Sequence, residues 1–173
     1  MSLFPLEKSI MKSFQVTGKV AITLREDQSL QVSSGFFDRL WVGEKLPPDF
    51  RVSLRFKVED PDGKFIVGIG NGETWKPDYH FVMNPIWTAF KKYLDAPDHW
   101  DRYLHMTRDD PYVVKPNVTF QVVFERRNRV ATITLNGNQV FVVDDEQEDL
   151  NNYNHLFVAG TMVLEALELE PLS

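Results

Sequence analysis

"ATITLNGNQVFVV", residues 131–143, holds two runs of alternating residues around an Asn-Gly pair. Asn-Gly between alternating apolar runs is the strongest short-range signal for a two-residue β-hairpin loop, because both loop positions need positive φ. Closed on Asn136-Gly137, the hairpin sets Leu135 opposite Asn138, Ile133 opposite Val140 and Ala131 opposite Val142. That register gives one dry face and a second face of Thr132, Thr134 and Gln139, with Phe141 as its lone large apolar group. A hairpin with one dry side needs a second layer to cover it.

Alternation continues on both sides of this hairpin. "NVTFQVVFE" places Val118, Phe120, Val122 and Phe124 on one side, which makes three consecutive strands. "DFRVSLRFKV" sets Phe50, Val52, Leu54, Phe56 and Val58 against Arg51, Ser53, Arg55 and Lys57, a period of two. Asp60-Pro61-Asp62-Gly63 has turn chemistry, and "KFIVGIG" beyond it reads as the antiparallel partner of that strand. "KVAITLRED" and "LQVSS" make another pair, and "YHFVMN" a further short strand. About eight to ten strands are expected at the spacing of a sandwich.

Two segments break the pattern. In "TMVLEALELEP" Leu167 and Leu169 fall on the opposite parity from Met162, Leu164 and Ala166. Either a β-bulge near Glu165 or a short helix carrying Leu164 and Leu167 accounts for the change. Between 86 and 116, Trp87, Phe90 and Leu94 have helical spacing, but Pro97 and Pro111 interrupt it. The expectation there is a lid or a set of loops, with a helical turn and room for another short strand.

The 173 residues suit a single domain, 1–173, built as an all-β, antiparallel two-sheet β-sandwich of jelly-roll type. Composition narrows the function. A formal net charge of −6 opposes phosphate backbones, so no nucleic-acid partner is expected, and the Arg126–Arg129 run reads as a solvated turn. With no cysteine, disulfides, thiolate metal sites and cysteine nucleophiles are excluded, and a reducing, cytoplasmic compartment is slightly favoured. No apolar run is long enough to cross a bilayer and the start lacks a signal-peptide core, so a soluble chain with no membrane partner is expected.

Aromatic residues reach 13%, and apart from Trp41 the tryptophans fall between 75 and 105 together with Tyr79, His80, Tyr93, His99, Tyr103 and His105. Flat rings suit the apolar C–H face of a pyranose, and hydroxyls need fixed amide, carboxylate, imidazole or guanidinium partners. Asn71, Asn84, Asp98, Asp101 and Arg102 are interleaved. Rings also pack cores, so each ring must be weighed against a purely structural role. With Tyr79, Phe81 and Met83 on the buried parity, His80 and Asn84 point to solvent or ligand. The candidate ligand-binding residues are Trp75, His80, Asn84, Trp87, Trp100 and Arg102.

Other chemistry has weaker support. Glu168 and Glu170 could approach the roughly 5 to 5.5 Å of a retaining glycosidase pair, with Glu165 nearby, but charge alternation is also what an edge strand shows. The aspartates at 95, 98, 101, 109 and 110, and "DDEQED" at 144–149, lack the spacing of a Ca²⁺ loop and read as solvated acidic loops. The histidines have no zinc-ligand arrangement, so neither a metal nor a cofactor is expected. Asn117-Val118-Thr119 matches a glycosylation acceptor. "GIGNG" lacks the spacing of a phosphate loop, and no nucleophile elbow is present.

The order of "TITLNGNQVFVV", "NYNHLFVAG" and "MVLEALELEP" resembles the C-terminal half of jelly-roll domains in the concanavalin A-like lectin and glucanase superfamily, with galectins nearest in layout. "DQSLQVSSG" and "FRVSLRFKV" look like its early strands. "HFVMNP" has His80, Asn84 and Pro85, but not at the galectin spacing and without the arginine that follows. The galectin Trp-x-x-Glu-x-Arg and the glucanase Glu-x-Asp-x-x-Glu segments are absent. The resemblance implies the fold and suggests carbohydrate recognition, with a saccharide as partner. A glycoside hydrolase of the same superfamily is the alternative reading. A non-catalytic protein-interaction module is the second, its edge strand self-pairing to give a homodimer.

Overall fold

The computed structural model describes residues 14–35, 38–73, 76–94 and 100–173, without the side chains of Glu44, Trp100 and Asp101. Among them there is no α-helix, so none is long and apolar enough to cross a membrane. Thirteen strands form two antiparallel layers: β1 (Phe14–Thr17), β2 (Val20–Leu24), β3 (Leu30–Ser34), β4 (Arg39–Lys45), β5 (Phe50–Lys57), β6 (Phe65–Gly70), β7 (Asp78–Met83), β8 (Thr88–Leu94), β9 (Trp100–Thr107), β10 (Thr119–Arg127), β11 (Val130–Leu135), β12 (Asn138–Val143) and β13 (His155–Pro171). Short 3-10 turns cover Asp110–Tyr112 and Leu150–Asn152.

The first sheet runs β12-β11-β10-β5-β13-β3-β2 and the second β1-β4-β13-β6-β7-β8-β9. β13 belongs to both. Its residues 155–160 pair with β4 and β6, and its residues 161–171 with β3 and β5. The pairing with β5 slips between Leu164 and Ala166, so the bulge near Glu165 resolves the parity change and the helical alternative falls.

Between the layers lies a continuous apolar core. Val52, Leu54, Phe56, Val122, Phe124, Ile133 and Leu164 from the first sheet meet Val67, Ile69, Phe81, Phe90 and Val158 from the second. Phe56 stacks on Phe65 at 3.7 Å between centroids, and Phe90 meets Phe124 edge-on at 5.9 Å.

Several expectations need correction. β5 and β6 are not a hairpin: β5 pairs with β10 and β13, β6 with β13 and β7, and the Asp60–Gly63 turn carries the chain between layers. The hydrophobicity that marks two strands does not say whether they share a sheet. The expected lid contains two strands, β8 and β9, paired to each other, while β8 also pairs with β7. Buried Lys91 and Lys92 hid the alternation of β8. In the hairpin, Leu135 does face Asn138, but a register shift between Ile133 and Thr134 sets Phe141 opposite Ile133 and Val143 opposite Ala131. Phe141 is therefore core, while Val142 is 46% exposed.

The arginine run divides. Arg127 and Asn128 are exposed, with positive φ at Asn128 and Arg129, but Arg126 is wholly buried. Its guanidinium donates to the carbonyls of Pro47, Pro48, Leu150 and Tyr153 and to Asn154 Oδ1. The acidic loop divides likewise, since the Asp145 carboxylate is buried and accepts from Tyr79 Oη at 2.6 Å and Lys92 Nζ at 2.9 Å.

Candidate functional site

Strand alternation gives the second sheet an outer face as well as its core face. Trp41, Ile66, Val82, Ala89, Phe157 and Ala159 form a second apolar cluster there, with Trp87 packed against it. Gly68 and Gly70 of β6 make room for the rings. A Cβ at Gly68 would stand 2.5 Å from Phe157 Cζ, and one at Gly70 2.9 Å from Trp41 Cη2. Trp41 and Phe157 meet edge-on at 5.0 Å, and Trp41 Nε1 donates to Thr17 Oγ1.

Polar groups share this face. Asp78 Oδ1 lies 2.7 Å from His80 Nδ1, and its Oδ2 accepts from Arg39 at 3.3 Å. The Arg39 guanidinium also lies 4.3 Å from the Phe157 ring centroid. Charged and imidazole groups kept this deep are stabilised by such partners, since isolated burial is costly. His80 sits on the face opposite Tyr79, Phe81 and Met83, as alternation requires. It is nevertheless 0% exposed, which corrects the expectation that it reaches solvent. Alternation assigns a side, not a depth.

The accessible part of the face is its rim at β9. Trp87, half-buried, meets Tyr103 edge-on at 5.6 Å, and the Lys91 ammonium lies 5.4 Å and 4.9 Å from their centroids. Tyr103 is 50% exposed, Met106 48% and Ile86 68%. Asn84 fixes this corner: its Oδ1 accepts from the Ile86 and Trp87 amides at 2.8 and 2.9 Å, closing the turn that presents the indole. Asn84 thus positions Trp87.

Of the residues expected from sequence, Asn84 and Trp87 meet in one turn, and His80 lies buried on the same sheet face beside Asp78. Trp75 lies outside the described residues, as do Asp95 and Asp98, and Trp100 is placed only as the first residue of β9. Arg102 is separated from the rings: it bonds Gln147 Oε1 at 2.9 Å and lines a crevice of about 260 Å³ with His105 and Asp144–Gln147. Glu165 and Glu170 are ion-paired with Arg55 and Arg51 on the first sheet, where Glu168 lines a shallow groove with Ser53 and Gln121. Sequence reasoning missed Arg39, Asp78 and Lys91. Asp78 was within reach, because it shares His80's parity one step earlier on the strand. Among the described residues, no cluster of histidine and carboxylate side chains is arranged to hold a metal.

By sequence, the chain matches no family model and no curated protein. By structure it is similar to a protein of unknown function with a galectin-like fold from Bacillus subtilis, at 12% identity and a TM-score of 0.74 over 98% of this chain and 96% of that one. It is similar also to the carbohydrate-binding module CBM66 from Bacillus subtilis, at 13% identity and a TM-score of 0.71 over 91% and 95%. Sheep galectin-11, solved with glycerol, follows at 14% identity and a TM-score of 0.60 over 73% and 93%. With the paired layers and the shared β13, these likenesses establish the fold as a galectin-like, concanavalin A-like jelly roll.

Proposed function

We propose that the outer face of the second sheet binds a saccharide at its β9 rim, with Trp87 and Tyr103 as the stacking surface. The observation that carries this reading is the half-open Trp87–Tyr103 ring pair with the Lys91 ammonium over both rings, on the face where the His80–Asp78–Arg39 set lies buried. Ligand sites combine an apolar or aromatic surface with a few fixed polar groups, and both parts are present on one sheet face. One structural neighbour, CBM66, is named as a carbohydrate-binding module, which supports the reading at the level of the fold. Asn84 acts by holding Trp87 in place. Trp75 and Trp100 remain candidates to be tested by substitution.

Glycan-array screening followed by calorimetry tests the proposal. Trp87→Ala should weaken binding about tenfold, the order of one lost ring contact of about 1.4 kcal/mol. Tyr103→Ala should weaken it to a similar extent, and Arg102→Ala should leave it unchanged. No binding across the array, or full affinity in Trp87→Ala, rejects the proposal.

A further inference from the structure

The chain contains two Asn-Gly pairs, and the fold treats them differently. The amide nitrogen of a glycine can attack the side-chain carbonyl carbon of a preceding asparagine, because no Cβ hinders its approach. At Asn136-Gly137 the Asn136 carboxamide is held across the hairpin. Its Oδ1 accepts from the Gln121 amide at 2.8 Å, and the Asn136 amide donates back to the Gln121 carbonyl at 2.8 Å. Nothing lies within 4 Å of a Cβ position at Gly137.

At Asn71-Gly72 the surroundings differ in the local donor to the carboxamide and in what stands over the glycine. Asn71 is exposed in the bend after β6, and its Oδ1 accepts from the Glu73 amide at 3.1 Å, a donor placed to stabilise negative charge on that oxygen. Both glycines have positive φ, +90° at Gly72 and +82° at Gly137, so backbone conformation does not separate them. The His155 ring covers Gly72: a Cβ there would lie 3.6 Å from its Cγ and Cδ2 and 3.9 Å from Nδ1. That Nδ1 is buried and has no hydrogen-bond partner among the described residues.

We infer that Asn71 is a site of self-modification, converted to aspartate or isoaspartate with His155 as the general base. With the ring turned so that Nδ1 reaches the Gly72 N–H, which it does not bond at rest, the Gly72 nitrogen gives it its proton and bonds to Asn71 Cγ, forming a tetrahedral oxyanion on Oδ1 under the Glu73 amide. Collapse breaks the Cγ–Nδ2 bond and releases ammonia, which takes the proton back from the imidazole. The resulting succinimide adds water and opens to aspartate or isoaspartate at position 71. No oxidant or cofactor takes part. The product places a new carboxylate near His155, at the end of the sheet where Trp41 and Asp78 flank Gly70.

Peptide mapping by mass spectrometry, with isoaspartate detection, tests this on the full chain in native buffer and in denaturant. In the folded protein, conversion at Asn71 should be at least about tenfold faster than at Asn136, the lower range of general-base assistance. In denaturant the two rates should converge. His155→Gln should bring the Asn71 rate down towards that of Asn136 and leave Asn136 unchanged. Equal rates at the two sites in the folded wild type overturn the proposal. So does an unchanged Asn71 rate in His155→Gln. A variant that opened the fold would show itself by a faster Asn136, and the wild-type ratio then decides alone.

Discussion

Arg126 shows how much a single side chain can hold. Phe120, Val122 and Phe124 fix the inward parity of β10, and position 126 continues it, so the guanidinium enters the core edge. Burial pulls its pKa down to about 10, still far above neutral, and it stays charged at pH 7. Among the described residues no carboxylate bonds it directly, though Asp49 and Asp149 lie near enough to favour its charge. Instead four carbonyls from two connections, before β5 and before β13, converge on its fork, and its plane lies 4.7 Å from the Phe50 centroid. Arg126→Ala would leave those carbonyls without donors and should cost about 3–5 kcal/mol in urea unfolding. Arg126→Lys, which keeps the charge and loses the planar fork, should recover only part of that. The parity was legible in the sequence, but it was outweighed by three neighbouring charges that read as a solvated turn.

At the scale of the element, strands were legible where side chains alternated cleanly, and their partners were not. β5 shows the period of two without interruption, and β10 and β11 show it with Val123, Arg126 and Val130 as exceptions. β8 does not, because Lys91 lies under two rings on one face and Lys92 under carboxylates on the other. The Asn136-Gly137 loop was also legible, with φ of 48° and 82° at its two positions. The extra residue that follows it was not, because a bulge leaves no mark in hydrophobicity until both strands are aligned. Its effect can be measured. Phe141, inside and 6.2 Å from the Phe81 centroid, should cost about 3 kcal/mol when replaced by Ala. Val142→Thr, on the open side, should change stability by less than about 0.5 kcal/mol. The register expected from the uninterrupted pattern demands the reverse order.

For the whole molecule, the candidate site follows from topology. β13 crosses between layers at Gly160–Thr161, so one strand supplies core to both sheets and Phe157 to the outer face. Sequence patterning could place His80 and Trp87 on strands or turns, but only this arrangement joins His80 to Asp78 and Arg39 and sets Tyr103 against Trp87. A further long-range tie is ionic. Lys92 of β8 meets Asp145 at 2.9 Å and Glu148 at 2.5 Å, and Tyr153 bonds Glu148, so the connection from β12 to β13 is fastened to the second sheet. Burial pushes the Asp145 carboxyl up, but hydrogen bonds from Tyr79, Lys92 and the Gln147 amide outweigh it and hold it below its ordinary value. A carboxyl whose pKa is lowered by folding stabilises the protein above its unfolded pKa of about 3.9, and that stability is lost as pH falls through the folded value. Protonation there would also leave Lys92 with one carboxylate fewer in a site where its side chain is 5% exposed. Asp145→Asn should therefore lower the melting temperature at pH 7, yet lose less than the wild type between pH 5 and pH 2, so that the two curves converge in acid. Thermal melts across that range check it, and parallel curves would mean that Asp145 does not carry the acid sensitivity of the connection.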